Sequence, residues 1–521
     1  MSQRKAVVVG AGPVGCLAAL ALGKRGWSVD IYEGRPDLRL PSSKAAAQQR
    51  SINLAISHRG IAAMHAIDAA TAQRFLHSAI PMRGRMIHKQ TGELDSQLYD
   101  RDGQASYFTT HLKDIAHASK PLCINSIDRA VLNEGLLEEA DASPNIRVFF
   151  NHKVISADFD HKTITVRDVL SSREEDVNFD FCIGADGSYS VIRRQMMRVV
   201  RMDYHQEYIR DEYVELKMPA GRSSNGEPTF LLDPNHLHIW PRSSFMLIAL
   251  PNKDKTFTCT LFAPSAELDR LNNADTILSW FKLYFPDAVR AIGEKILVDD
   301  FLRNPRSALV HTESNPYHYE DRVIILGDAA HSMVPFYGQG LNCGLEDVRI
   351  LSVLLAEEGV QSDNSLSYID TKNAIDPALA RALERYSATR HDDLVAICKL
   401  AMDNYVEMRH SVITMPYLVK KTLDNVLYSL SSKTVVSLGA LAPILSRSLY
   451  SPVEPSGWLP LYTMVTFRPD ISYAAVQKKA ARQGRILTRL CGVGGTLLGA
   501  LGGYITWSAW KALMHCLSAT K

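Results

Sequence analysis

Uninterrupted apolar runs, each closed by glycine or an acidic residue, mark where this chain turns. Ala6-Val7-Val8-Val9 leads into Gly10-Ala11-Gly12-Pro13-Val14-Gly15, and a stretch from Cys16 to Arg25, apolar as far as Leu22, follows. Four apolar positions without alternation suit a strand buried on both faces, and the stretch after them has helical length. The reading is strand, glycine turn and helix, with a second strand over Ser28 to Glu33. Phe181-Cys182-Ile183-Gly184-Ala185-Asp186-Gly187 and Val323-Ile324-Ile325-Leu326-Gly327-Asp328 repeat the buried run far downstream.

Between residues 200 and 310 the texture changes. Tyr213 to Met218, Thr229 to Leu232, Leu237 to Trp240, Phe245 to Leu250 and Phe257 to Phe262 are short β-rich runs split by Pro, Asn, Asp and Gly. Asp275 to Glu294 reads as one helix, and beyond residue 345 the pattern is largely helical, with a polar loop near Gln361 to Asp376. The expected fold is α/β. A discontinuous Rossmann-like region over 1–200 is completed by 311–360, followed by a β-rich substrate domain over 201–310 and a helical region over 361–484. Residues 485–521 form a C-terminal segment of their own.

Composition narrows the function classes. The chain has 521 residues, room for two or three domains, and a formal net charge of only +2, which gives no reason to expect a nucleic-acid partner. Its 8 cysteines are scattered without a CxxC spacing. That argues against zinc and a disulfide framework, and for a reducing compartment. The first strand begins so near Met1 that an N-terminal presequence is not expected.

The turns carry the chemistry. Gly10, Gly12 and Gly15, with Val14 between them, match a turn that seats a pyrophosphate on a helix N-terminus, and Glu33 stands where a Rossmann unit places its ribose-binding carboxylate. The unit occurs once, so a second nicotinamide-binding unit is not in view. Asp186 in its Asp-Gly turn and Asp328 in its Gly-Asp turn resemble the motifs of class A single-component flavin hydroxylases. There they serve flavin, ribityl chain and nicotinamide. Pro335-Phe336-Tyr337-Gly338-Gln339-Gly340-Leu341-Asn342 is a loop running into a helix. Its glycines admit a planar ring, and helix N-terminal amides can stabilise negative charge.

Four further segments make the resemblance narrower. Arg50-Ser51-Ile52-Asn53-Leu54-Ala55-Ile56-Ser57-His58-Arg59-Gly60, Gly84-Arg85-Met86-Ile87-His88, Pro335 to Gly340, and Pro460-Leu461-Tyr462-Thr463-Met464-Val465-Thr466-Phe467 are similar to the kynurenine 3-monooxygenase family. The resemblance implies bound FAD, NADPH as co-substrate, molecular oxygen, and hydroxylation of L-kynurenine to 3-hydroxy-L-kynurenine through a flavin hydroperoxide. It implies a place in tryptophan degradation and de novo NAD synthesis. With the family pattern, the cofactor-binding set is Gly10, Gly12, Val14, Gly15, Glu33, Arg35, Ala55, Arg129, Asp186, Asp328, Gly340, Leu341 and Asn342.

The expected substrate residues are Arg85, Tyr99, Asn404, Glu407, Tyr462 and Phe336. A hairpin turning at Thr91 to Glu93 sets Arg85 opposite Tyr99 on one face, where a guanidinium and a phenol can clamp a carboxylate. Asn404 and Glu407 lie on or beside the apolar stripe of one helix; Glu407 has Arg409 and His410 as alternative partners. Tyr462 follows by motif, with a core tyrosine as the alternative. No residue is assigned as catalytic acid or base, and no metal is expected.

Leu490 to Trp510 carries no charge, follows Lys478, Lys479, Arg482, Arg485 and Arg489, and has Tyr504, Trp507 and Trp510 near its far end. This is the pattern of a C-terminal transmembrane helix, with a core or surface-lying helix as the alternative. Gly495, Gly499 and Gly503 form a stripe suited to helix-mediated self-association. The resemblance implies the mitochondrial outer membrane, with the catalytic part facing the cytosol. Two other functions remain open: a flavin hydroxylase or epoxidase for another substrate, and a flavin-binding membrane scaffold without turnover.

Overall fold

The computed structural model describes residues 3–43, 53–99, 122–363, 375–410, 414–431 and 457–489. Lys5–Val9 lies in a six-stranded sheet in the order His318–Tyr319, Val323–Ile325, Phe181–Gly184, Lys5–Val9, Ser28–Glu33, Ile146–Phe150. All pairs are parallel except the His318–Tyr319 edge. Val7, Val8, Ile31, Ile183 and Ile324 are wholly buried, as strands covered on both faces require. Pro13–Lys24 covers the sheet and packs on Gly340–Glu357. The three apolar runs recognised in the sequence therefore lie side by side, and their glycine and acid turns meet at one end. That end is where open α/β sheets bind ligands.

A second sheet has seven strands, in the order Ser307–Asn315, Asp203–Met218, Phe257–Pro264, Phe245–Pro251, His236–Arg242, Gly84–His88, Leu94–Leu98. It differs from the expected domain limits. Its Gly84–Leu98 hairpin comes from the stretch assigned to the nucleotide-binding region, joined by parallel pairing of Gly84–Ile87 with His236–Ile239. Its helical cover is Ala274–Tyr284, Pro286–Ile292 and Glu294–Arg303, not one helix from 275 to 294. Pro286 opens the second piece and Gly293, at φ +89°, separates it from the third.

The helical region supplies the remaining wall. Pro377–Arg409 starts on Asp376, whose carboxylate accepts from Ala378 N and Leu379 N. Met415–Ser431, Leu461–Phe467 and a helix over 473–489 follow.

One part of the fold expectation is corrected. Against the expected C-terminal transmembrane helix, no helix among the described residues is long and apolar enough to cross a membrane. The segment 490–510 on which it was expected lies outside the described residues, as do Arg50, Ser51 and Ile52.

Candidate functional site

At the end of Lys5–Val9 the three glycines have different reasons to be there. Gly10 has φ +101°, and a Cβ would stand 2.5 Å from Ala185 O; at Gly15 it would stand 2.0 Å from Gly10 O. Packing alone forbids side chains at both. Gly12 is extended, caps Pro13–Lys24, and a Cβ there would meet nothing within 4 Å. Space stands open at a helix N-terminus, where an anion is favoured. Val14 is a wedge: its methyls would lie 3.2 Å from a Cβ at Gly327 and 2.7 Å from one at Gly344.

The acids around this cradle divide by engagement. Glu33 accepts from Ala11 N at 3.0 Å and from Arg35 N and Nε at 3.0 and 2.8 Å. Burial would raise its pKa, but Arg35 and these amides outweigh burial and hold it low. Asp186 accepts from Ser190 Oγ, the N-cap of Val191–Met196, at 2.5 Å and from Val191 N at 2.6 Å; burial raises its pKa. Arg193 joins the two acid turns by donating to Ser188 O and Ala329 O. Asp328 is exposed in the first turn of Asp328–His331, and no hydrogen bond holds its carboxylate among the described residues.

Asn342 is a staple. Its Nδ2 donates to Ala55 O and Gly338 O at 2.9 and 2.7 Å, and its Oδ1 accepts from Ser57 N at 2.8 Å. The side chain therefore fixes the Asn53–Ile56 strand and the 335–338 turn, and has little capacity left for a ligand. Gly340 and Leu341 open the same helix, where backbone N–H groups lack intrahelical acceptors. Arg129 is exposed at the start of Arg129–Ala142.

A cavity of about 490 Å³ lies between the Gly84–Leu98 hairpin, the long helix, Met415–Ser431 and Leu461–Phe467; Arg85, Tyr99, Asn404, Glu407 and Tyr462 line it. Arg85 is 8% exposed, its guanidinium lies 4.4 Å over the Tyr462 ring, and its Nε has no hydrogen-bond partner. Burial opposes its charge, but Tyr462, Tyr99, Tyr417 and Glu407 raise its pKa overall. Tyr99 stacks on Tyr462 at 5.0 Å, and Tyr462 on Tyr337 at 5.8 Å. Tyr99 Oη has no hydrogen bond of normal length, although Arg85 and Tyr462 lie near enough to perturb it.

The hairpin register differs from the expected one. Arg85 pairs with Gln97, not Tyr99, and Tyr99 N bonds Arg83 O at 2.9 Å. Lys89 and Glu93 close the loop, with Gly92 at φ +87° as its last residue. Arg85 and Tyr99 are consequently diagonal neighbours on one face, still within reach of a shared group.

Asn404, 6% exposed, donates to Phe336 O at 2.7 Å. The Phe336 ring itself stacks on Tyr405 at 3.8 Å, away from the cavity wall. Glu407 pairs with neither Arg409 nor His410; it accepts from Tyr417 Oη at 2.9 Å. Tyr337 and Tyr417 were not singled out from the sequence, although Tyr337 stands inside the loop motif and Tyr417 inside the helical region.

A buried ionic network backs both halves. Arg59 donates to Glu346 at 2.9 Å and to Val465 O at 2.6 Å, bracing the helix that carries Tyr462. Arg390 bonds Asp347 Oδ1 at 2.9 Å, while Asp347 Oδ2 accepts from Gly327 N at 3.1 Å and meets His331 Nε2 at 2.5 Å. His331, Cys343 and Asp347 bring three metal-ligating atom types together, but the Arg390 guanidinium lies against both Asp347 and the Cys343 sulfur. A cation already fills that role.

Comparison with known proteins agrees with this geometry. A family model described as an FAD binding domain matches residues 3–385. The kynurenine 3-monooxygenase of Cryptococcus neoformans var. neoformans serotype D is 41% identical, over 98% of this chain and 99% of its own length. That of Candida albicans is 43% identical over 95% of each chain, and that of Saccharomyces cerevisiae 39% identical over 97% and 98%. Among solved structures, a tetrameric 2-methyl-3-hydroxypyridine-5-carboxylic acid oxygenase superposes with a TM-score of 0.57 at 18% identity, covering 80% of this chain and 96% of that one. An HpxO variant of Klebsiella pneumoniae complexed with FAD gives 0.54 at 18% identity, covering 80% and 92%. These two likenesses show the fold. Match of the FAD-binding model over most of the chain, and identity near two in five over nearly all of it, place this chain in the kynurenine 3-monooxygenase family.

Proposed function

We infer that this chain hydroxylates L-kynurenine to 3-hydroxy-L-kynurenine, consuming NADPH and molecular oxygen with FAD bound. The observation that carries the substrate is the unmatched donor pair on the cavity wall, Arg85 Nε beside Tyr99 Oη. Buried donors without acceptors are costly until an anion meets them, and the α-carboxylate of kynurenine is such an anion.

FAD fits the residues at the sheet end. Gly12 leaves open space at a helix N-terminus, Asp328 has a free carboxylate for a ribityl hydroxyl, and the first-turn amides of Gly340–Glu357 have no helical acceptors. Glu33 and Asp186 act by shaping the turns, since their oxygens already accept several hydrogen bonds. When bound, FAD supplies two-electron reduction by NADPH and the activation of oxygen.

The protein's share is placement. Arg85 and Tyr99 fix the carboxylate, and the Tyr99–Tyr462–Tyr337 column offers flat faces for an aromatic ring. Asn404 holds the Phe336 carbonyl, and with it the loop leading into Gly340–Glu357. These contacts orient the ring carbon beside the aniline nitrogen and keep water from the reacting atoms. None of them requires a side chain to act as acid or base.

Binding of L-kynurenine should be compared with that of its analogue lacking the α-carboxylate. The account expects the analogue to bind at least about tenfold more weakly; equal affinity would remove the carboxylate clamp. For location we propose the mitochondrial outer membrane, supported by the family resemblance; recovery in another fraction of lysed cells would refute it.

A further inference from the structure

Behind the hairpin lies a chain of hydrogen bonds, buried at its centre and part-buried at both ends, that the reaction does not use. His88 Nδ1 is 3.0 Å from Asp287 Oδ2, and His88 Nε2 is 2.9 Å from His238 Nδ1. His238 Nε2 is 2.8 Å from Asp233 O, and Trp240 Nε1 donates to Asp287 Oδ2 at 2.7 Å. Both histidines are buried, and the His88 ring stacks on Trp240 at 3.9 Å.

Counting protons along the chain leaves one arrangement. Asp233 O is a carbonyl and only accepts, so His238 Nε2 carries a hydrogen. Burial would raise Asp287, but hydrogen bonds from His88 and Trp240 hold it at about 2. An ionised Asp287 only accepts, so His88 Nδ1 carries a hydrogen as well. The bond between the rings needs one more. With every bond made, the two rings share three hydrogens on four nitrogens and therefore one positive charge. Of the two rings, His88 is the one that meets a carboxylate, Asp287 Oδ2 at 3.0 Å, while His238 meets only a carbonyl outside the pair, which puts the charge on His88.

We propose that His88, as an imidazolium between Asp287 and His238, is a positioning residue that braces the strand presenting Arg85 to the substrate. Three residues apart on one strand, Arg85 and His88 face opposite sides of the sheet. Arg85 reaches the cavity; His88 ties the strand to Pro286–Ile292 and to His236–Arg242. The second hairpin strand is tied at the same place, because Ser96 Oγ bonds His236 Nε2 at 2.9 Å and His236 Nδ1 bonds Asp233 at 2.7 Å. Losing the proton sets two lone pairs against each other at 2.9 Å or breaks an outer bond, and the strand loosens.

The charged surroundings are few. Arg242 donates to His88 O at 3.0 Å, Lys89 and Glu93 pair with each other in the open, and Asp95 stands on the neighbouring strand. Across the sheet Arg409 pairs with Asp211. Arg290 shares the helix of Asp287. Asp287 is the one acid hydrogen-bonded to the ring among the described residues.

The brace rests on the Arg85 reading given above, so its test has one arm that does not depend on substrate. In ¹⁵N-histidine spectra of the FAD-loaded enzyme, the His88 signal, assigned by its loss in His88→Gln, should show both nitrogens protonated at neutral pH. In Asp287→Asn it should show a neutral ring. A neutral His88 ring in the unaltered enzyme overturns the proposal, whatever the substrate. In the second arm Asp287→Asn should raise KM for L-kynurenine about tenfold with kcat within about twofold, and FAD content should not change. A KM unmoved in Asp287→Asn while Arg85→Ala raises it overturns the proposal even if the ring is charged. Should Arg85→Ala also leave KM unmoved, the clamp reading fails and the brace fails with it.

Discussion

Arg85 lies with its guanidinium 4.4 Å over the Tyr462 ring, yet its buried Nε donates to nothing. The ring stabilises the charge from one side while the donor edge remains available. Replacing Arg85 by Ala should raise KM for L-kynurenine about 10- to 100-fold, the loss of one charge-assisted hydrogen-bonded anchor. Arg85→Lys should recover only part of it, because an ammonium cannot reproduce the planar fork. Steady-state kinetics checks both.

Gly12 and Gly15 should separate cofactor binding from folding. A Cβ at position 12 meets only open space, whereas one at position 15 would lie 2.0 Å from Gly10 O. Gly12→Ala should therefore melt like the unaltered apoprotein while binding FAD at least about tenfold more weakly. Gly15→Ala should fail to reach the folded state in useful yield. Apoprotein melting and FAD titration measure the contrast.

Arg390 is the hub of a network bonded to Glu346 and Asp347 at zero exposure. Arg390→Met leaves those carboxylates buried and partly unpaired, and should cost about 3–5 kcal/mol. Asp347 holds Gly327 N, so FAD should also be released more readily. Chemical denaturation gives the first effect and fluorescence of released FAD the second.

Two buried histidines should work against the fold in mild acid, opposed in part by Glu215, whose carboxyl burial pushes up to about 7. Burial pushes both His58 and His238 down to about 4 from 6.5. Between those pH values the unfolded chain binds more protons than the folded one. Stability accordingly falls as pH drops from 6.5 to 4, by up to about 1.4 kcal/mol per pH unit for each histidine. Denaturation midpoints across that range should fall, and less steeply in His58→Asn.

What could be read from the sequence was whatever depends on neighbours in the chain. Gly10 to Gly15, Asp186 and Asp328 each close a buried strand, and such strands have one way to lie beside each other. The Arg85 hairpin shows the limit. Placing Gly92 in the middle of its loop gives Arg85 opposite Tyr99; a left-handed glycine closes a three-residue loop at its last position, and the register moves to Gln97. Phe336 was assigned from its motif, but packing against Tyr405 turns the ring away and leaves only its carbonyl at the site. The His88–His238 contact joins strands 150 residues apart, and nothing local announces that pairing. The helices after residue 274 are shorter than their periodicity suggests because Pro286 and Gly293 interrupt them.

The most direct measurement follows NADPH oxidation by the FAD-loaded protein with and without L-kynurenine, with 3-hydroxykynurenine and hydrogen peroxide assayed together. Kynurenine should accelerate oxidation, and hydroxylated product should match the NADPH consumed, with little peroxide. Oxidation indifferent to kynurenine, or peroxide in place of product, would contradict this reaction.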